Sequence, residues 1–141
     1  MNQSISFILI SVLFCLALPS SVFANEKAES EAIQAAKTWL TLVDQGKNSE
    51  SWKEAAHYFK NVVTKEQWSQ TINGVRKPLG KLISRELKSK VYATTLPGAP
   101  DGEYVVIQFK TSFENKKSAV ETVTPMRDKD GTWRVSGYFI K

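Results

Sequence analysis

The sequence predicts an α+β domain in which three N-terminal helices pack on a curved four-stranded antiparallel sheet. Three observations predict it. Apolar residues recur at helical spacing as far as residue 77, and the period changes to two after Gly80. The last third then holds strand-like runs joined by readable turns, ending in Trp133, Val135, Tyr138 and Ile140. Helices first and sheet second is the order of a fold whose helices lie on one side of an antiparallel sheet.

The first helix is expected over residues 28–45, where Ile33, Ala36, Leu40 and Val43 form a stripe widened by Ala32 and Trp39. Gly46 and Asn48 supply the stop. Ser51 and Glu54 have capping-box spacing, and Trp52, Ala55, Ala56 and Phe59 give a short second helix its apolar face. Thr64 and Gln67 form another capping box, with Val63 placed to staple onto Trp68. Trp68, Ile72 and Val75 make the third stripe, which Pro78 ends by disfavouring helix at Lys77.

The first strand alternates Leu87, Ser89, Val91 and Ala93 with Glu86, Lys88, Lys90 and Tyr92. Two prolines and two glycines in residues 96–102 exclude both helix and ladder, so a wide turn follows. Further strands are expected over residues 104–113, 118–127 and 132–140. If Asn115 and Lys116 close the second and third strands, Lys110 stands opposite Glu121 as an exposed cross-strand pair. If Lys129, Asp130 and a left-handed Gly131 close the last hairpin, Arg127 stands opposite Trp133, with its guanidinium over the indole. These registers leave apolar residues on both faces: Val105, Ile107 and Phe109 on one, Val106, Val123, Trp133, Val135 and Phe139 on the other. Helices can cover only one face, so a second copy of the chain is the expected cover of the other.

Residues 1–24 contain no Asp, Glu, Lys or Arg, and residues 5–18 are almost continuously apolar. That run is short of the roughly 20 residues of a spanning helix, and Ala24 closes a signal-peptidase site. The reading is a signal peptide over 1–24, a single domain over 25–141, no stable membrane anchor, and a periplasmic or secreted protein. Cys15, the only cysteine, lies in the discarded segment, so the remaining chain has no thiol nucleophile, disulfide or thiolate metal site.

The net charge of +5 is concentrated in residues 76–90. Arg76, Lys77, Lys81, Arg85, Lys88 and Lys90 stand there against Glu86 alone. A lysine-bearing edge strand explains this without a partner, while an anionic surface is the functional alternative. No stacking-aromatic module accompanies the charge, so nucleic acid is not expected.

No residue is assigned as catalytic, and neither metal nor cofactor is expected. His57, the single histidine, has no neighbour in sequence to orient it and is read as structural. One histidine without cysteine cannot fill the usual zinc ligand sets. No Gly-rich phosphate loop or nucleophile elbow occurs. If a pocket exists, Tyr92, Gln108, Glu121, Arg134 and Tyr138 are its candidate polar lining. The assumed register puts Gln108 and Glu121 on the face opposite Arg134 and Tyr138, so all five cannot meet in one cavity.

The pattern Ala36-x-x-Trp39-Leu40, Trp52-x-x-Ala55-Ala56-x-x-Phe59, Val63-Thr64-x-Glu66-x-Trp68, Pro78-Leu79-Gly80 and Leu96-Pro97-Gly98-x-Pro100-Asp101-Gly102 resembles the bacterial domain-of-unknown-function 4019 family. The closing run Gly131-x-Trp133-Arg134-Val135-x-Gly137-Tyr138 adds to that resemblance. The family carries no assigned activity, so the resemblance transfers no functional residue. It implies a topology like the ketosteroid-isomerase-like cone, which does not fix a function. The leading expectation is a non-enzymatic binding or interaction module for a hydrophobic small ligand or a protein partner. The alternative is a small-molecule isomerase or hydrolase using Glu121 and Tyr138.

Overall fold

The computed structural model describes residues 20–141. Helix α1 (Ser20–Asp44) is followed by two short helices, α2 (Asn48–Lys53) and α3 (His57–Val62), and then by α4 (Lys65–Arg76). Strands β1 (Leu82–Ala93), β2 (Tyr104–Phe113), β3 (Lys116–Arg127) and β4 (Trp133–Ile140) form one antiparallel sheet in chain order. Among the described residues the architecture is α+β, with four α-helices where the sequence suggested three. The apolar run at 5–18 and Cys15 lie outside the described residues. Among those described, no helix is long and apolar enough to cross a membrane.

The expected second helix is two helices because Ala56 is claimed by the sheet. Its N–H bonds the carbonyl of Val135 on β4 at 2.8 Å, and its extended ψ of 150° interrupts the helix. Ser51 is not a cap. It lies inside α2, fully buried, where its hydroxyl donates to the Asn48 carbonyl and accepts from Trp68 Nε1 at 2.9 Å. The capping box at Thr64 forms as expected, with Gln67 N–H donating to Thr64 Oγ1 and Gln67 Oε1 accepting from the Thr64 N–H. After α4 the chain turns at Gly80 with φ of 73°, where an added Cβ would stand 2.9 Å from that of Glu114. Only glycine fits there without displacement.

The core lies between α1, α4 and one face of the sheet. Ala32, Ala36, Trp39, Leu40 and Val43 of α1 meet Val105, Ile107, Phe109, Val123, Trp133 and Val135. Trp39 packs on Trp68 and edge-on to Tyr138, with ring centroids 5.6 and 5.5 Å apart. Their indole N–H groups are satisfied at Ser51, so burial leaves neither donor unpaired.

The β3–β4 register is the expected one beside the hairpin, where Gly131 is left-handed with φ of 83° and Arg127 pairs with Trp133, but it shifts by one residue between Thr124 and Pro125. The guanidinium, however, bonds Glu103 and the Gly131 carbonyl and does not stack on the indole. The β2–β3 register differs by one residue. Glu114 and Asn115 make the turn, a ladder irregularity follows between Thr111 and Phe113, and Phe109 thereby pairs with Glu121 while Lys110 pairs with Val120. A one-residue slip reverses every side chain on the strand. It turns Val123 inward beside Ile107 and Phe109, where the packing also places Trp133 and Val135. The outer face keeps half-buried Val106 and exposed Phe139. The two-sided apolar pattern that motivated a second copy is therefore reduced to a few residues.

Strand β1 also departs from simple alternation, with register shifts between Leu82 and Ser84 and between Leu87 and Ser89. Tyr92 packs against the core and Lys90 reaches Glu29 at 3.0 Å, both on the helix side, while Val91 is exposed. Two of the six cations of the basic run, Arg76 and Arg85, are turned into the protein. The outward charge is smaller than the sequence count suggests.

Candidate functional site

Glu121 is completely buried on the helix-facing side of β3. Arg85 of β1 reaches it through Nε at 2.6 Å and Nη2 at 3.1 Å. Thr111 of β2 donates to its Oε1 at 2.6 Å, and Tyr138 of β4 donates to its Oε2. Arg85 turns its other edge to Asp44, at the end of α1, through Nη1 at 2.8 Å and Nη2 at 3.0 Å. Arg76 of α4 donates from Nη2 to the same carboxylate at 2.8 Å and lies over the Phe113 ring. Two cations thus face two anions, and the cluster ties all four strands to α1 and α4.

The electrostatics fit this balance. Burial alone would raise the Asp44 carboxyl, but bonds and charge from Arg85 and Arg76 hold it below its ordinary value. Burial would weaken the charged form of Arg85, yet Asp44 and Glu121 together raise its pKa. Burial, and then the Glu121 carboxylate, push the Tyr138 phenol well above the ordinary tyrosine range. The phenol therefore stays protonated and donating. Four donor bonds thus occupy the Glu121 carboxylate, and the arrangement braces the fold.

Of the five candidate lining residues, only Glu121 and Tyr138 meet. This reverses the expectation that they lie on opposite faces, because the β3–β4 ladder shifts by one residue between Thr124 and Pro125, so that Val123 pairs with Tyr138 and Glu121 with Ile140. Tyr92 donates to Glu103, which also receives Arg127. Gln108 accepts from Ser89 across the outer face. Arg134 joins Asp128 and Asp130 at the β3–β4 turn. Sequence reasoning did not identify Asp44, Arg76, Arg85 and Thr111 as members of this cluster. Arg85 shares alternate spacing with Leu87, but the bulges on either side of that pair hide which side faces in.

The second feature is an open groove of about 840 Å³ at the end of the sheet. Its walls are α2 and α3 with Lys53, His57 and Tyr58, the loop at Pro100 and Asp101, and the β3–β4 turn at Asp128 and Asp130. These walls are braced against each other. Tyr58 donates to the Gly98 carbonyl at 3.1 Å, and Tyr104 donates to that of Pro100. Asp128 Oδ2 accepts both the His57 N–H at 3.3 Å and Arg134 Nη1 at 3.0 Å. Arg134 also makes a two-pronged contact with Asp130, and these bonds hold that carboxyl down at about 2. His57 is exposed on this wall, and its N–H, rather than its ring, holds the structure together.

The family described as "Protein of unknown function (DUF4019)" matches residues 35–138. No curated protein matches the chain. A solved structure from Catenulispora acidiphila is similar, with a TM-score of 0.53 and 10% identity over 84% of this chain and 94% of that one. At that identity the likeness concerns the fold alone.

Proposed function

This chain belongs to the DUF4019 family, and from that premise and the geometry above we propose that it is an exported, non-enzymatic binding module whose ligand face is the open groove. The observation that carries the reading is the saturated state of Glu121. Its position between helices and sheet is where a cone-type enzyme would hold its pocket, a topology we adopt from the helix-then-sheet order. Arg85, Thr111 and Tyr138 occupy the carboxylate instead. Binding is then left to the surface, where the groove has rigid, partly apolar walls of the kind that favour recognition. Export is supported by the charge-free residues 1–24 and by the burial pattern of α1. Among the residues whose burial is described, 21–27 are all exposed and the first buried one is Ala28, so removal of 21–24 would take nothing from the described core.

A screen of small polar and aromatic fragments against isotope-labelled protein tests this reading. Amide shifts clustered at Asn61, Gly102 and Lys129 are expected. Fragments that instead shift Glu121, Tyr138 and Thr111 would contradict it and favour the isomerase or hydrolase alternative.

A further inference from the structure

We propose that the groove docks a short segment of a partner protein carrying both acidic and basic side chains, an inference that rests on the groove being the ligand face. The groove is open to solvent, whereas a free small molecule usually needs about 70–90% of its surface buried. A segment belonging to a larger partner gains the remaining contacts outside the groove. The walls are already fixed by the Tyr58–Gly98, His57–Asp128 and Arg134–Asp130 bonds, so little ordering cost falls on this side of the complex.

The charges select the segment. Arg134 is consumed by Asp128 and Asp130, and Arg127 by Glu103. Among the described residues no ion pair engages Lys53, Lys60, Lys129, Glu54 or Asp101, all of which line the groove. A uniformly anionic ligand would meet Glu54 and Asp101, and a uniformly cationic one would meet the three lysines. A segment bearing both signs satisfies all five, since complementarity and like-charge rejection set specificity together. Tyr58, Pro100 and Met126 offer the apolar surface for an anchoring side chain.

Three pools of short synthetic peptides, one of mixed charge, one acidic and one basic, would be titrated into the labelled protein. The mixed pool should give saturable shifts at Asn61, Gly102 and Lys129. For its tightest members, Lys129→Glu should weaken binding by about tenfold or more, while Lys110→Glu on the outer face leaves it unchanged. Preference for a uniformly charged pool, or an unaffected Lys129→Glu variant, would overturn the proposal. If no peptide binds while fragments still shift the groove, the peptide class fails and the groove reading survives. If neither reaches the groove, both fail.

Discussion

Glu121 stands opposite Phe109 across the β2–β3 ladder, on the face that packs against α1. That pairing puts a carboxylate in the interior, and Arg85 comes in from the edge strand to meet it. An uncompensated charge there would be prohibitive, so the bonds from Thr111 and Tyr138 and the shared Asp44 are conditions of the fold.

Tyr138→Phe removes one donor to a buried carboxylate and keeps the ring that packs on Trp39. Urea denaturation should show a loss of about 1.5–3 kcal/mol, the range for hydrogen bonds to charged groups. The far-ultraviolet circular dichroism should be unchanged.

Asp44 gives the fold an acid-sensitive limb. Its folded pKa is depressed, so its stabilisation is present above the unfolded value, roughly pH 4, and is lost as pH falls through the folded value. Unfolding free energies measured from pH 6 downward should decline in that window. Asp44→Asn should begin less stable and lose less on acidification.

Thr64→Ala removes the side-chain acceptor for the Gln67 N–H at the start of α4. A loss of about 1 kcal/mol is expected in thermal or urea unfolding, with the Trp68 environment preserved in fluorescence of the folded protein.

The sequence revealed what local chemistry controls. The β2 bounds, the Thr64 cap and the left-handed Gly131 hairpin are each written in a few adjacent residues. The inward turn of Glu121 is not local. It depends on the ladder irregularity between Thr111 and Phe113, beyond a turn at Glu114 and Asn115, and no glycine or proline marks either. Arg85 and Asp44 were illegible for a related reason. Arg85 lies between Ser84 and Glu86 on an edge strand and Asp44 at a helix end, where exposure is the ordinary state of a charged residue. The split between α2 and α3 depended on a hydrogen bond to Val135, some eighty residues away in the chain.

The central claim is that Glu121 braces the fold and performs no chemistry, and urea denaturation of Glu121→Gln beside Lys110→Ala tests it most directly. Removing one partner from a buried, bonded pair should cost about 3–5 kcal/mol. Lys110→Ala, on the exposed face, should stay within about 0.5 kcal/mol of the parent. A Glu121→Gln protein as stable as the parent, or more stable, would contradict the account. Stability gained on losing a charged group is the mark of an active site held at the fold's expense.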